Sequence, residues 1–476
     1  MHFPASASCA TFCITLALAA SVAACSSSSS TRVRDDDAAT AVDPDGGTAP
    51  RGPASITFWS AGREVTTLLY AEPFAVHVDG LTAHERVTVG ARFWGYASWA
   101  DFEADEAGSI DAGEDAPLEG TYEGADADGL VWSMIKESDL TGTTFDVSFS
   151  VERAGEVVAE ATLARRPLDD GLSFEALRES GLVGSLFMPA GASSTPRPVI
   201  VVLGGSEGGL DTAEFLAAYY AGHTGFAALG LAYFGVDGLP DTLTDIPLEY
   251  FATALEWIAS RSDLDATRVA VAGVSRGGEL ALQLGALHPE LRAVIAEVPS
   301  GVRWGSAGFF DRAAWTLGGA SLPYMPNAPD AEPSVETLPN GQTGYRLTPT
   351  FLASLEIATA TERAAAEIDV EHGGAAFLLL GGGDDGLWPS CALAQIAMDR
   401  LHAAGHDAMH DDALVCYEDT GHFIGPPGWP TAETYAYRDS RIGGAWMVLG
   451  GTPAGTAHAQ RAMYERVATF LADQLR

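Results

Sequence analysis

The amino-acid sequence predicts an α/β protein with a mostly parallel sheet, preceded by an N-terminal β-sandwich. Two observations carry this prediction. Residues 54–166 contain short strand-like runs separated by turn residues, which is the pattern of antiparallel sandwiches. Residues 167–476 instead alternate fully apolar strands with helices, as expected for a parallel sheet covered on both faces.

The first 53 residues are predicted to lie outside both domains. Residues 12–24 form an apolar run that is too short to span a bilayer and typical of the core of a signal peptide. The run ends Val-Ala-Ala before Cys25, which resembles a bacterial lipoprotein signal. We therefore expect residues 1–24 to be removed, Cys25 to be lipidated, and residues 25–53 to form a disordered tether rich in Ser, Asp, Gly and Pro.

This signal predicts an exported protein, anchored to a bacterial membrane through Cys25 and facing the periplasm or the cell surface. A plain secretory signal, a misassigned start and a cytoplasmic location are the alternatives, because the first eleven residues contain no Lys or Arg. In an oxidising compartment Cys391 and Cys416 can pair as a disulfide. The alternative is two small buried thiols.

Within the predicted sandwich the clearest element is a hairpin. Residues 145–152 alternate apolar and polar side chains, a short turn follows at 153–155, and residues 156–163 form the second strand. Three further strands are predicted, at residues 74–78, 86–94 and 130–134. Strands of this length and spacing predict a sandwich of about 110 residues.

The second domain is predicted to contain a regular alternation of elements. Helices are expected at residues 213–220 and 247–260 and after Arg276, and strands at residues 199–203, 225–233, 269–272, 293–297 and 376–380. Residues 303–349 interrupt this series, because they are rich in Trp, Phe, Pro and Gly and show little periodicity. A loop region of this length inside a domain is usually a functional lid or an insertion.

The candidate nucleophile is Ser275, in the sequence Gly-Val-Ser-Arg-Gly at residues 273–277. This G-x-S-x-G pattern lies between a predicted strand and a predicted helix. In such an elbow the serine occupies a strained turn, and the helix N-terminus presents free N–H groups to an anion that forms there. The alternative interpretation is a glycine-rich turn with an incidental serine.

A second match to the same pattern occurs at residues 204–208, which read Gly-Gly-Ser-Glu-Gly after an earlier strand. At this place α/β-hydrolases carry the loop that supplies the second oxyanion donor. We therefore predict an oxyanion hole made by the backbone N–H groups of Ser206 and Arg276. Ser206 as the nucleophile is the alternative.

The candidate acid is Asp385, four residues before Pro389, and it is preferred to its neighbour Asp384. It follows an apolar strand, so it is expected at the same edge of the parallel sheet as Ser275. The candidate base is His422, which follows a later strand and a glycine. The chain order Ser, Asp, His is that of α/β-hydrolases, and we predict that fold.

The order of these motifs resembles the acyl-CoA thioesterase and bile acid-CoA:amino acid N-acyltransferase family, whose C-terminal domain is similar to dienelactone hydrolases. The similar stretches are residues 117–134, 231–235, 273–282, 296–301, 384–390 and 416–427. By position, the resemblance implies a triad of Ser275, Asp385 and His422. The N-acyltransferase branch uses cysteine as its nucleophile, so the serine implies transfer to water.

The resemblance implies a serine hydrolase of acyl-CoA and fatty acid metabolism that cleaves an acyl thioester or ester through an acyl-enzyme. Its partner is a small-molecule acyl substrate, and the mechanism uses no cofactor and no metal. Aromatic residues of the insertion are candidates for lining the acyl pocket, with ordinary packing as the alternative. These candidates are Trp304, Phe309, Phe310, Trp315 and Tyr324.

The composition bears on which partners and substrates the protein can bind. The chain has 26 Lys and Arg against 64 Asp and Glu, a formal charge of −38, and 47% hydrophobic residues. That apolar content excludes an acidic disordered chain, and the absence of a basic patch excludes nucleic acid as a partner. The charge also fits poorly with polyanionic CoA, so an exported esterase or acyltransferase on another substrate and a non-catalytic binding lipoprotein are the alternatives.

Overall fold

The computed structural model describes residues 53–138, 144–191, 193, 195–306, 309–422, 425–439 and 444–476. The predicted signal peptide, Cys25 and the predicted tether up to residue 52 lie outside the described residues. Within the described ranges, no helix has both the length and the apolar character needed to cross a membrane.

The described residues before position 167 form eleven strands in two sheets. One sheet has the order β2-β1-β4-β7, and the other has the order β3-β11-β10-β5-β6-β8, with β9 paired to β6. The strands are β1 (Ser55–Ser60), β2 (Arg63–Val65), β3 (Thr67–Leu69), β4 (Ala75–Asp79), β5 (Arg86–Phe93), β6 (Tyr96–Glu103), β7 (Ile110–Asp111), β8 (Glu119–Gly120), β9 (Ile135–Lys136), β10 (Val147–Arg153) and β11 (Glu156–Arg166).

The predicted hairpin is present as β10 and β11, which pair antiparallel with Val147 opposite Leu163. Alternate side chains of these strands point inward, because successive residues of a strand face opposite sides. Phe149 on β10 packs at 5.2 Å between ring centroids against Phe58 on β1, so the two sheets share one core.

The prediction of a strand at residues 130–134 is wrong, because the chain forms a short helix, α1 (Gly129–Trp132). The carboxylate of Asp126 starts the turn: it accepts the N–H of Asp128 at 3.0 Å and the indole N–H of Trp132 at 2.8 Å. Leu130, Val131 and Met134 are buried. A run of apolar residues this short has the same signature whether it is a buried strand or a buried helix.

The remaining chain is built on an eight-stranded sheet with the order β12-β13-β15-β14-β17-β18-β25-β26. The strands β12 and β13 are antiparallel to their neighbours, and the following six are parallel to one another. These strands are β12 (Ser173–Leu177), β13 (Val183–Met188), β14 (Arg197–Leu203), β15 (Ala227–Ala232), β17 (Leu264–Val274), β18 (Ala293–Glu297), β25 (Ala376–Gly382) and β26 (Ala413–Tyr417).

Helices cover both faces of this sheet, which gives the predicted α/β-hydrolase fold. Ile200 and Val202 pack with α2 and α8, whereas Val199 and Val201 pack with α3, α4 and α7. The alternation follows from the two-residue period of a strand. The helices are α2 (Asp211–Thr224), α3 (Glu249–Ser260), α4 (Arg276–Leu287), α5 (Thr348–Ile357), α6 (Ala360–Ala366), α7 (Ser390–Ala404) and α8 (Pro453–Leu475).

The insertion at residues 303–349 is not an irregular loop. It contains short strands that join small sheets beside the main one, in the orders β16-β21-β22, β19-β20 and β23-β24-β28-β27. Strands of two to five residues are too short to produce a readable period. The insertion contributes β19 (Gly305–Ser306), β20 (Phe309–Ala313), β21 (Trp315–Leu317), β22 (Ala320–Ser321), β23 (Ser334–Thr337) and β24 (Thr343–Arg346). Three strands from outside the insertion complete these small sheets: β16 (Ile246–Pro247), β27 (Ala436–Asp439) and β28 (Ala445–Val448).

Candidate active site

Ser275 lies on a sharp turn between β17 and α4, with φ 58° and ψ −119°. A non-glycine residue in this region of backbone space is strained, and such strain is common where a side chain must be presented for chemistry. The turn also requires glycine at both flanking positions, because neighbouring backbone atoms approach them too closely for a side chain. A Cβ on Gly273 would lie 2.1 Å from the Gly277 carbonyl oxygen, and a Cβ on Gly277 would lie 2.3 Å from the Gly204 carbonyl oxygen.

The structure brings together Ser275, His422 and Asp385. The distance from His422 Nε2 to Ser275 Oγ is 2.9 Å, and His422 Nδ1 lies 2.8 Å from Asp385 Oδ2 and 3.0 Å from Oδ1. Because an ionised carboxylate only accepts, Nδ1 carries the proton and donates it to Asp385. The other ring nitrogen is therefore free to accept the serine proton.

The loop after β25 orients the Asp385 carboxylate. Its Oδ1 accepts the backbone N–H groups of Leu387 at 2.9 Å and Trp388 at 3.2 Å. Its neighbour Asp384 is half-exposed and has other partners, because it pairs with Arg346 at 2.8 Å and accepts the Gly451 N–H at 2.9 Å. The sequence preference for Asp385 thus coincides with the carboxylate that contacts His422.

His422 is held by its backbone and by one aromatic ring. Its N–H donates to the Leu449 carbonyl at 2.8 Å, and the Trp388 ring packs edge-on at 5.9 Å between centroids. The Trp388 indole in turn donates to the Val298 carbonyl at 2.9 Å. Sequence reasoning did not single out Trp388 for this role, although its place three residues after the candidate acid was a usable signal.

The predicted oxyanion loop lies beside the serine. A Cβ on Gly205 would lie 3.4 Å from the Ser275 Cβ, and Ser206 is the next residue along this loop. Two side chains hold the loop in place: the Tyr233 hydroxyl donates to the Gly204 carbonyl at 2.7 Å, and the Glu207 carboxylate accepts the Gly205 N–H at 2.9 Å.

Arg276 is the first residue of α4, so its N–H has no acceptor within the helix. The Arg276 side chain is buried and pairs with Glu279 at 3.2 Å. Glu279 also accepts the Trp315 indole N–H at 2.6 Å, and burial raises the pKa of this carboxyl. This buried cluster fastens the insertion to the helix that follows the nucleophile.

The aromatic residues predicted as pocket candidates differ in how deeply they are buried. Trp304 and Trp315 are buried, with 3% and 1% of their surfaces exposed. Tyr324 is half-buried. The side chains of Phe309 and Phe310 lie outside the described part of the chain. Trp304 packs against Phe351, whose ring contacts Trp388 in turn.

Cys391 and Cys416 are joined by a disulfide, with their Cα atoms 5.7 Å apart. Cys391 lies near the start of α7, just after the loop that carries Asp385. Cys416 lies on β26, the strand that leads toward His422. The bond therefore links the helix that follows the Asp385 loop to the strand that precedes His422.

A cavity of about 30 Å³ lies between α2 and α8, and Ser275 is not one of the residues that line it. Its polar wall includes Glu297, whose carboxylate accepts the Tyr220 hydroxyl at 3.0 Å. Burial raises the pKa of Glu297 to about 7. Glu297 also touches the site through its backbone, because its carbonyl accepts the Ser275 N–H at 2.8 Å.

Comparisons with known proteins identify the family to which both domains belong. The family model described as BAAT / acyl-CoA thioester hydrolase C terminal matches residues 246–476. The model described as acyl-CoA thioester hydrolase/BAAT N-terminal region matches residues 71–179. Both halves of the family's architecture are therefore present in the expected order.

Similar curated proteins include acyl-coenzyme A thioesterase 5 of Mus musculus, 29% identical over 421 residues, and acyl-coenzyme A thioesterase 1 of Homo sapiens, 28% identical over 419 residues. Each alignment covers 84% of this chain and 92% of the relative. Among solved structures, a dienelactone hydrolase-like promiscuous phosphotriesterase from metagenomic libraries aligns at 13% identity and a TM-score of 0.38, over 64% of this chain and all of the other. The chain is a hydrolase and belongs to the acyl-CoA thioester hydrolase/BAAT family.

Proposed function

We propose that this protein hydrolyses acyl thioesters of the acyl-CoA class through a covalent acyl-enzyme on Ser275. The observation that carries the proposal is the continuous hydrogen-bond chain from the Ser275 hydroxyl through His422 to Asp385, with steps of 2.9 Å and 2.8 Å. A serine hydroxyl is a weak nucleophile at neutral pH, and this arrangement provides the base and the orienting acid that it needs.

In the first half-reaction Ser275 Oγ attacks the thioester carbonyl carbon, and its proton passes to His422 Nε2. The tetrahedral intermediate collapses, the carbon–sulfur bond breaks, and His422 gives the proton to the departing thiolate. In the second half-reaction His422 takes a proton from water, and the hydroxide attacks the acyl-serine ester. Collapse of the second intermediate releases the carboxylic acid and returns the proton to Ser275.

The negative oxygen of each intermediate needs donors that are already in place. We assign this role to the backbone N–H groups of Arg276 and Ser206. The first lies at the N-terminus of α4, where the helix dipole favours negative charge. The second belongs to the loop whose Gly205 approaches Ser275. The Asp385 carboxylate holds the orientation of His422 and stabilises the imidazolium that forms there.

A second candidate substrate class is an ester or thioester without CoA. CoA carries several phosphate charges, whereas this chain has a formal charge of −38. Two arginines close to the triad are already paired, Arg276 with Glu279 and Arg346 with Asp384. These pairs leave neither guanidinium poised for a phosphate, which favours a leaving group of lower charge.

A fluorophosphonate probe followed by peptide mass spectrometry tests the nucleophile. We expect the probe to label Ser275 in the wild-type protein, and both labelling and turnover to disappear in Ser275→Ala. Ser206→Ala is the matched control, because it changes the serine of the other G-x-S-x-G stretch and keeps its backbone N–H. Labelling that persists in Ser275→Ala and disappears in Ser206→Ala would overturn the assignment.

Turnover of acyl-CoAs and p-nitrophenyl esters of equal acyl length separates the two substrate classes. A kcat/KM that is higher for the acyl-CoA supports CoA recognition. Equal or higher values for the simple esters contradict it and favour the second candidate. No turnover of either series, together with no labelling, would point to a binding protein instead.

A further inference from the structure

The segment that follows the candidate base lies on the β-sandwich. Trp429 inserts its ring among three aromatic side chains of that domain, edge-on, at centroid distances of 5.4 Å to Phe93, 5.8 Å to Trp94 and 6.3 Å to Tyr96. We call residues 428–433 the docking segment. Aromatic edge-to-face contacts fix relative orientation as well as burying surface.

A buried arginine of the sandwich holds the same segment. Arg165, near the end of β11, donates from Nη1 to the Gly428 carbonyl at 2.8 Å and from Nε to the Phe145 carbonyl at 2.9 Å. Its guanidinium stacks over the rings of Tyr70 and Phe93. Burial lowers the pKa of Arg165 to about 10. Removing a charged guanidinium from water costs free energy unless hydrogen-bond acceptors replace the water. The Gly428 carbonyl is one of these acceptors.

The sandwich contributes three further hydrogen bonds to the docking segment. The carbonyl of Trp132, the last residue of α1, accepts the N–H groups of Thr431 and Ala432, each at 3.1 Å. Helix-terminal carbonyls lack partners within the helix, so they are available for such contacts. The side chain of Glu433 accepts the Lys136 N–H at 2.7 Å.

Hydrogen bonds lead from this docked segment to the base. The Tyr435 carbonyl, two residues past the segment, accepts the Leu449 N–H at 2.8 Å, and the Leu449 carbonyl accepts the His422 N–H at 2.8 Å. The same Leu449 carbonyl accepts the Gly386 N–H at 2.9 Å, which ties in the loop of the candidate acid. Leu449 therefore connects the docked segment both to His422 and to the loop that carries Asp385.

We propose that the β-sandwich is a brace for the catalytic base, and that Arg165 and Trp429 are positioning residues that act on His422 through the docking segment and Leu449. The inference rests on the proposed function, since it assigns a role to the base of that mechanism. Catalysis of this kind is sensitive to small displacements, because proton transfer requires a hydrogen bond of the right length and direction.

A matched pair of variants separates positioning from general attachment of the two domains. Arg461 also crosses between them, since it pairs with Asp128 at 2.8 Å and donates to the Ala71 carbonyl. It extends from α8, however, and does not contact the docking segment through these bonds. Arg165→Met and Arg461→Met therefore each remove one cross-domain arginine, but only the first releases the Gly428 carbonyl.

The experiment uses the full chain with a p-nitrophenyl ester and with the fluorophosphonate probe. We expect Arg165→Met to lower kcat and the labelling rate of Ser275 by about 10- to 100-fold with little change in KM. We expect Arg461→Met to keep kcat within about twofold of wild type, although both variants lose thermal stability. If the two variants have equal kcat and equal labelling rates, the inference that the β-sandwich positions His422 is wrong.

Trp429→Leu provides the second test, because its ring is partly exposed and its loss leaves Arg165 in place. The same fall in kcat at constant KM is expected, so a poorly folded Arg165→Met does not end the test. Wild-type kcat in a folded Trp429→Leu protein contradicts the inference. Failure of the wild-type protein to label at all would instead contradict the proposed function, so the two failures are distinguishable.

Discussion

His422 Nε2 lies 2.9 Å from Ser275 Oγ, although 147 residues separate the two in the chain. The contact forms because both residues follow strands of one parallel sheet and so emerge at the same edge. Ser275 comes after β17, and His422 comes after β26, at the far end of that sheet. The intervening strands β18 and β25 set the spacing, and the loop after β25 supplies Asp385 between them.

Asp385→Asn is expected to lower kcat by about 10³- to 10⁴-fold. The amide cannot accept as the carboxylate does from Leu387, Trp388 and His422 together, so the imidazole loses its orientation and its counter-charge. Steady-state hydrolysis of a p-nitrophenyl ester measures the effect. Asp384→Asn is the matched control and should remain within about twofold of wild type, because the Asp384 carboxylate contacts Arg346 and the Gly451 N–H, whereas Asp385 contacts His422. A similar loss in both variants would argue against Asp385 as the acid.

Gly277→Ala is expected to prevent formation of the nucleophile turn. The new Cβ would lie 2.3 Å from the Gly204 carbonyl oxygen, so the predicted oxyanion loop and the start of α4 must separate. We expect a destabilisation of at least about 2 kcal/mol and loss of fluorophosphonate labelling, measured by urea unfolding and by gel fluorescence. Gly425→Ala is the control, since its Cβ meets no atom within 4 Å. A Gly277→Ala protein with native stability would contradict the close approach.

Glu297→Gln is expected to change the pH dependence of stability. Burial raises the pKa of Glu297 from its ordinary 4.5 to about 7, so the folded state binds more protons than the unfolded state between these values. Stability therefore falls as pH rises from about 4.5 to about 7, by roughly 3 kcal/mol from this group. The glutamine variant does not lose this stability at high pH, and its amide oxygen can still accept the hydrogen bond from the Tyr220 hydroxyl.

Urea unfolding at pH 5, 6, 7 and 8 checks this prediction. The free energies of unfolding of variant and wild type should be similar at pH 5, and the variant should be more stable at pH 8. The pH 5 measurement serves as the internal control for packing changes. A difference between the two proteins that stays constant across the range would show that Glu297 is not protonated in the folded state.

Reduction of the Cys391–Cys416 disulfide is expected to destabilise the folded state. The bond closes a loop with a sequence separation of 25, for which the chain-entropy model gives about 3.5 kcal/mol. Urea unfolding with and without dithiothreitol measures the difference. The double variant Cys391→Ala/Cys416→Ala is the control and should not respond to the reductant. Unchanged stability of the wild-type protein on complete reduction would contradict the expectation.

Export and lipidation at Cys25 stay predictions from the N-terminal sequence. In a bacterial host we expect mass spectrometry to find an N-terminal Cys25 carrying acyl chains, and the protein to sediment with membranes. Cys25→Ser should move it to the soluble fraction, because a serine offers no thiol for the lipid. A protein that keeps residues 1–24 and stays soluble would contradict the signal.

Sequence patterns located the strands at residues 199–203, 293–297 and 376–380 because long apolar runs report burial on both faces of a sheet. They also indicated Ser275, Asp385 and His422 as the candidate triad, since each follows a strand and their chain order is that of α/β-hydrolases. They failed at residues 130–134, where an apolar run this short carries no period, and in the insertion, whose strands are shorter than the windows that reveal them.

Local sequence patterns thus predict three features of this protein: the strand-to-helix turn at Ser275, the α/β-hydrolase order of the motifs and the two-domain architecture. Other features depend on distant residues meeting in space. Arg165 reaches the Gly428 carbonyl across 263 positions of sequence, and Trp429 enters an aromatic cluster of the other domain. No local pattern encodes such contacts, because their free energy comes from burial and pairing that exist only after both domains have folded and packed together.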